Sequence, residues 1–263
     1  MSAPPSPTIP PALIARLRAA HSLAVLTGAG VSAESGVPTF RDAQSGLWAK
    51  FDPLELATPG AFRRNPRMVW DWYAWRRTLM ASAKPNPGHY ALASWERRSA
   101  HFTLITQNVD GLHQAAGSAN TVELHGNLRR VKCSREGTLA NDWDDANPDE
   151  PPRCRNCGAF LRPDVVWFEE DLPRVALARA EYAARHCDVM LVVGTSAEVH
   201  PAAALPLHAR ARSVPVIEVN LDATPLSEHA EFVLRGPSGI VLPALVAAVW
   251  PDDPEARPGG VHR

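Results

Sequence analysis

Residues 23–41, LAVLTGAGVSAESGVPTFR, decide the fold of this chain. The run Leu23-Ala24-Val25-Leu26 is apolar without interruption, the pattern of a short strand buried on both faces. Gly28, Gly30 and Ala33 then keep the G-x-G-x-x-A spacing of a dinucleotide-binding turn. Gly28 permits the tight turn, and Gly30 lets the backbone approach a pyrophosphate with no Cβ in the way. Ala33 is expected to hold a following helix close to the sheet, with its first N–H groups aimed at the anion. Glycine-rich turns also serve purely structural ends, so the motif needs support from the rest of the chain.

The residues after this turn do not suit an ordinary dehydrogenase. An acidic residue about twenty positions on should hold the ribose. Instead the helix is expected to stop at Gly36-Val37-Pro38, and the next strand comes only near residue 101. A bound dinucleotide must therefore take its remaining contacts from later segments.

With 263 residues, 45% of them hydrophobic, the chain can bury a sizeable core in one large domain plus an insert. The 27 basic and 28 acidic residues leave a net charge of −1, which argues against a nucleic-acid surface or a polybasic membrane patch. No apolar run is long enough to span a bilayer. The start, MSAPPSPTIPP, lacks the basic and apolar regions of a signal peptide and reads as a proline-rich tail over residues 1–11. Cys133, Cys154, Cys157 and Cys187 form no disulfide framework for a chain of this size, so a reducing, cytoplasmic setting is expected.

Periodicity places a first helix over residues 11–20 and mostly helical structure over 41–99. Within it Met68, Trp72, Trp75 and Leu79 form an apolar stripe. Asn86-Pro87 is a helix start, and the helix after it should turn Tyr90, Leu92 and Trp95 inward. Further strands are expected at 101–106, 121–124, 188–193, 216–219 and 232–234, with helices over 172–185, 202–212 and 240–250. Residues 129–169 are charged, interrupted by proline and hold three of the four cysteines, which marks a small module. The sum is an α/β, doubly wound parallel sheet with a second, smaller domain. The large domain takes 12–40, 100–128 and 170–250, the smaller one takes 41–99 and 129–169, and 251–263 forms a tail. Polar clusters recur at strand ends, at 28–30, 107–110, 125–126, 194–196 and 220, the edge where open α/β sheets bind ligands.

Six ordered motifs carry a family resemblance across residues 12–250. They are GAGVSAESGVPTFR at 28–41, QNVDGLH at 107–113, LHG at 124–126, RPDVVWFEE at 162–170, VVGTSAEVHP at 192–201 and VN at 219–220. In these the chain resembles the sirtuin (Sir2) family of NAD-dependent protein deacylases. The resemblance implies a Rossmann-like large domain, and a small domain made of a helical insert and a zinc-ribbon-like module. NAD and the acyl-lysine side chain of another protein would meet between them. By the same resemblance His125 is the catalytic base, a role that suits an imidazole titrating near neutral pH. Asn108, also catalytic, joins Gln107 and Asp110 around the nicotinamide ribose and carboxamide. Gly28, Ala29, Gly30, Ala33, Thr39, Phe40 and Arg41 would enclose the cofactor, with Phe40 shielding the reacting centre. Gly194, Thr195, Ser196 and Asn220 would hold the adenosine side, and Ser238 the adenine.

Val165, Val166, Trp167 and Phe168 correspond to the stretch that pairs with substrate as a strand and lines the acyl-lysine channel. Glu169 stands where the family usually has glycine. If the backbone there needs a positive φ, the glutamate is strained; otherwise it sets a carboxylate beside the substrate. Tyr73 and Arg76, three apart on one helix face, resemble the Tyr-x-x-Arg pair of class III sirtuins, which implies succinyl-, malonyl- or glutaryl-lysine as substrate beside acetyl-lysine. The second Cys-x-x-Cys pair of a zinc site is present as Cys154 and Cys157, but Cys133 is followed at the matching position by Glu136. Glu136 supplies the fourth ligand, or water or a neighbour does, or packing alone holds the module. Cys187 reads as core. The alternatives to a deacylase are a sirtuin-type protein ADP-ribosyltransferase and a non-catalytic NAD-binding sensor.

Overall fold

The computed structural model describes residues 7–37, 52, 56–145 and 147–253. Six parallel strands make the main sheet: β1 Ser22–Thr27, β2 His101–Thr106, β3 Thr121–Glu123, β7 Val189–Val193, β8 Val216–Asn220 and β9 Phe232–Arg235. Their spatial order is β3-β2-β1-β7-β8-β9. The winding therefore reverses between β1 and β7, whose ladder pairs Leu23 with Val189 and Thr27 with Val193. A second, antiparallel sheet in the order β5-β4-β6 is formed by β4 Gly126–Cys133, β5 Leu139–Ala140 and β6 Leu161–Val165.

Helices cover both faces of the main sheet, which is why its inner strands are apolar throughout. On one face α1 (Pro11–Ala19), α4 (Pro87–Arg98) and α8 (Ser238–Val249) bury Leu13, Leu17, Leu92, Trp95, Leu242 and Leu245 against Val25, Leu104 and Leu191. On the other, α6 (Arg174–His186) and α7 (Leu205–Arg210) bring Ala180, Ala184, Leu205 and Ala209 onto Ala24, Leu26, Ile105 and Met190. Each fully buried Leu, Ile or Val contributes roughly 1.5–3 kcal/mol over exposure. A short helix, α5 (Leu112–Ala115), comes after β2.

The insert holds α2 (Pro59–Arg64) and α3 (Pro66–Ala81), capped by Thr58 and Asn65, whose side chains accept from the amides of Ala61 and Met68. The stripe on α3 is rotated from the sequence expectation. Val69, Trp72, Tyr73 and Met80 are buried, Met68 and Trp75 are half-buried, and Leu79 is 40% exposed. The cause is a helix apolar on two faces. Val69, Trp72, Tyr73 and Met80 pack with Val165 and Trp167, while Trp70 packs with Val131, Cys133 and Leu161 of the antiparallel sheet. Asn86 does cap α4, in a box closed by His89. Tyr90 does not turn inward; it is 36% exposed, and Ala91 takes the core position beside Leu92 and Trp95. The helix expected over 202–212 is a 3-10 turn, Ala202–Ala204, followed by the short α7.

Arg67 ties the module to α3. Its Nη1 donates to Asp145 Oδ1 at 2.9 Å, to the Asn147 carbonyl at 2.6 Å and to the Glu150 carbonyl at 3.2 Å. The Trp70 indole N–H meets the other Asp145 oxygen at 2.9 Å.

Candidate active site

The turn after β1 closes differently from a simple strand-to-helix elbow. Two 3-10 turns, Ala29–Val31 and Ala33–Ser35, replace the expected helix and end on Gly36 at φ 73°. Ala33 is exposed, so it holds no helix against the sheet. The close approach belongs to the two glycines. A Cβ on Gly28 would lie 2.7 Å from the Gly194 carbonyl oxygen and 2.7 Å from Thr195 Cβ, and one on Gly30 would lie 2.8 Å from Gly194 Cα. The Gly30 amide donates to the Gly194 carbonyl at 2.8 Å. The turns after β1 and β7 thus interlock at the switch point of the sheet, the crevice where open α/β sheets bind ligands.

A buried polar network extends from this turn. Ser32, at the junction of the 3-10 turns, donates to Asp110 Oδ2 at 2.7 Å and accepts from Asn108 Nδ2 at 3.1 Å. His89 Nδ1 accepts from the Asn86 amide at 3.2 Å, so its Nε2 carries the proton and points at Ser32 Oγ, 3.3 Å away. Asp110 also accepts from the Leu112 amide at 2.8 Å. Behind it, Thr27 Oγ1 donates to Thr106 Oγ1 at 2.9 Å and meets His113 Nε2 at 2.9 Å. Burial pushes His89 down to about 4 and His113 down to about 3, so both imidazoles are neutral near pH 7. Ser32, His89, Thr27 and His113 were not expected as site residues. Ser32 lies in the first motif and His89 in the α4 cap, but only the fold brings them to Asn108 and Asp110.

His125 stands between β3 and β4, half-buried. Its Nδ1 lies 3.0 Å from the Gln107 carbonyl, which can only accept, so the proton sits on Nδ1 and Nε2 keeps a free lone pair. Burial lowers its pKa, and the bond to Gln107 works against that shift. Gln107 Nε2 reaches Thr195 Oγ1 at 3.0 Å, and Asn220 Nδ2 donates to the Thr195 carbonyl at 2.8 Å. Gly28, Ala29, Gly30, Gln107, Asn108, Asp110, His125, Gly194, Thr195, Ser196 and Asn220 therefore share one sheet edge. Ser238 is set apart from them. It is buried at the start of α8, where its hydroxyl faces Glu34 Oε2 at 3.3 Å and the Val31 carbonyl at 3.5 Å. Thr39, Phe40 and Arg41 lie outside the described residues.

From His125 the chain passes directly to the second wall. The Val166 amide donates to the His125 carbonyl at 2.9 Å, and the Phe168 amide to the Ala57 carbonyl at 2.9 Å. Val165 and Trp167 are buried, Val166 is half-buried and Phe168 is exposed. Tyr73 and Arg76 lie on α3 beside them, with the Arg76 guanidinium 5.0 Å from the Trp72 ring centre and 6.0 Å from that of Tyr73. Burial raises the Tyr73 hydroxyl to about 12, so it remains a donor, and lowers Arg76. Glu169 has φ 71°, which resolves the two readings of this position in favour of backbone strain.

In the module, the three Cys Sγ atoms and a Glu136 carboxylate oxygen lie within 4.8 Å of one another, and Cys133 Sγ is 3.4 Å from Cys157 Sγ. The donor set and its compactness fit a tetrahedral metal ion. Cys187 is buried, as a core residue should be. No helix among the described residues is long and apolar enough to cross a membrane.

A Rossmann-like sheet with this edge and an antiparallel module defines a known class of α/β enzymes. The Sir2 family model matches residues 28–201, and the chain belongs to that family. A Ralstonia nicotianae protein named NAD-dependent protein deacylase is 55% identical over 231 residues, covering 88% of this chain and 93% of its own. An Aquifex aeolicus protein of the same name is 52% identical over 210 residues, covering 80% and 87%. A solved Sir2 homolog–NAD complex superposes with a TM-score of 0.86 at 45% identity, over 94% of this chain and 96% of that one. Sir2 bound to acetylated peptide gives 0.79 at 30% identity, over 88% and 94%.

Proposed function

We propose that this protein is an NAD-dependent protein-lysine deacylase that removes succinyl, malonyl and glutaryl groups, and acetyl groups as well. The acyl group passes to ADP-ribose, and nicotinamide and free lysine are released. The observation that carries the reading is the interlock of Gly28 and Gly30 with Gly194 at the switch point, with the free Nε2 of His125 on the same edge. NAD, when bound, supplies the ribose carbon that captures the acyl oxygen and the hydroxyl that receives the acyl group. His125 takes up the hydroxyl proton at Nε2, while its Nδ1–H stays on the Gln107 carbonyl and fixes the ring. Asn108 and Asp110 orient ribose and carboxamide from positions that Ser32 and His89 hold rigid. Thr195, Ser196 and Asn220 bind the adenosine half. Residues 165–168 line the path of the acyl-lysine side chain, because the Val166, Trp167 and Phe168 amides already donate to His125, Glu170 and Ala57.

Acidic acyl preference rests on Tyr73 and Arg76. The Arg76 guanidinium, beside the Trp72 and Tyr73 rings, matches a carboxylate with its planar fork, and the protonated phenol adds a donor. Cys133, Cys154, Cys157 and Glu136 would hold a zinc ion that braces the module, remote from the reacting groups. The protein is expected to act away from membranes and nucleic acid, in the cytoplasm.

The test is mass spectrometry of matched acetyl-, succinyl- and glutaryl-lysine peptides with and without NAD. NAD-dependent loss of acyl groups, reduced about 10²–10⁴-fold by His125→Ala, supports the deacylase. Faster loss of acidic groups, reduced about tenfold or more by Arg76→Met while acetyl removal persists, supports the preference. ADP-ribose appearing on protein with no acyl loss would replace this reading with the transferase.

A further inference from the structure

Trp167 is 2% exposed, and its indole N–H has no hydrogen-bond partner among the described residues. The Tyr73 hydroxyl is near enough to sense this N–H, but the two do not meet in bonding geometry. Buried indoles normally find an acceptor, and leaving the donor open costs about 1–3 kcal/mol. The ring has no freedom to turn and find one. The Arg162 guanidinium lies 3.3 Å above its centre. Phe62 packs on it at 5.2 Å between centroids, and Tyr73 at 6.4 Å with the ring planes only 32° apart. Its own amide is fixed to Glu170 Oε2 at 2.9 Å. The Nη groups of Arg162 are in turn taken by that glutamate through two bonds of 2.6 and 2.8 Å, and by the Val165 carbonyl at 2.9 Å, while its buried Nε has no partner among the described residues. Arg162 meets Trp167 through the face of the ring and offers its indole N–H no acceptor. A cation against the ring draws density from it and makes the N–H a stronger donor.

We propose that the Trp167 indole N–H is a third donor to the distal carboxylate of the acyl group, beside Tyr73 and Arg76, held in place by the Arg162–Glu170 pair. This rests on the acidic-acyl reading and deepens it. An acetyl group ends short of any such acceptor and leaves the donor open, whereas a succinyl or glutaryl carboxylate satisfies it. A buried donor left unpaired by the shorter substrate is a strong source of discrimination. Arg162 and Glu170 act through Trp167 and are positioning residues.

The experiment compares kcat/KM for acetyl-, succinyl- and glutaryl-lysine peptides at saturating NAD, using the full chain. Trp167→Phe is expected to lower the succinyl-to-acetyl ratio about tenfold, mainly through the succinyl KM. Replacing Trp167 by 3-benzothienylalanine, which keeps the ring shape and lacks the N–H, should lower the ratio to the same extent with unchanged thermal stability. That analogue separates the lost hydrogen bond from lost packing. If the wild-type protein removes succinyl groups and the analogue leaves the ratio unaltered, the inference is overturned and the acidic-acyl reading stands. If the wild-type protein removes acetyl groups alone, the acidic-acyl reading falls and takes the inference with it.

Discussion

On the sheet side of the cleft, Ser32, Asn108, Asp110 and His89 hold one another by direct hydrogen bonds of 2.7–3.3 Å. On the insert side, Arg76 and Arg162 meet Trp72, Tyr73 and Trp167 through ring faces. The first wall spends its polar groups on itself, so its geometry is set before any ligand arrives. The second leaves the Trp167 indole N–H without a partner among the described residues. Rigidity suits the half of the reaction that every substrate shares. On the proposed reading, that open N–H serves the half where substrates differ.

Acid is the strongest probe of that contrast, because His89 and His113 both belong to the sheet wall. Their folded pKa values, about 4 and about 3, lie below the unfolded value near 6.5. The unfolded chain therefore binds more protons below pH 6.5. Stability from this pair is full above that pH and is lost as pH falls through 4 and then 3. A loss of about 4 kcal/mol at pH 5 is expected for the two together, read from urea unfolding at pH 7.5 and 5. An unfolding midpoint that does not move would show that the wall accommodates charge. Gly30→Ala comes next. Its Cβ would meet Gly194 Cα at 2.8 Å and the Gly194 carbonyl oxygen at 2.9 Å, all backbone, so the two turns must part. About 3 kcal/mol of destabilisation and loss of NAD binding are expected by calorimetry. Unaltered NAD affinity would break the link between interlock and cofactor.

Ser32→Ala removes one hydroxyl and leaves Asn108, Asp110 and His89 each short of a partner. It should cost about 1–3 kcal/mol and raise the KM for NAD more than it lowers kcat. An equal effect on both would make the serine a structural residue only. The smallest change is on the other wall. Glu169→Gly relieves the φ of 71° and should stabilise the fold by about 0.5–1 kcal/mol, since glycine's greater unfolded-state freedom offsets part of the gain. A lower melting temperature would mean that the glutamate side chain contributes more than its backbone costs.

Much of the fold was legible in local sequence. The apolar runs ending in Gly28, Gln107, Gly194 and Asn220 mark strands of a parallel sheet, and Asn86-Pro87 marks the start of α4. The relations that sequence hid are those at long range. Ser32 bonds across 76 residues to Asn108, and nothing in GAGVSAESG tells which hydroxyl turns inward. On α3 an amphipathic pattern points to one buried face, but Trp70 and Trp72 are buried against different neighbours, and the phase of the stripe could not be read from period alone. Ala33 misled for a related reason. The spacing of a turn motif states where close approach occurs, not which segment approaches, and here a strand end 164 residues beyond Gly30 takes the place of the helix.

Glu34 adds a consequence in time. Its carboxylate accepts from the Gly239 amide at 2.6 Å, across 205 residues, joining the first glycine motif to α8. At about 5–20 residues per second, a ribosome takes roughly 10–40 s to make the intervening chain. For that interval the emerging turn lacks both Gly194 beneath it and α8 beside it. The nascent protein cannot complete the link from its first glycine motif to α8 until residue 239 has been made.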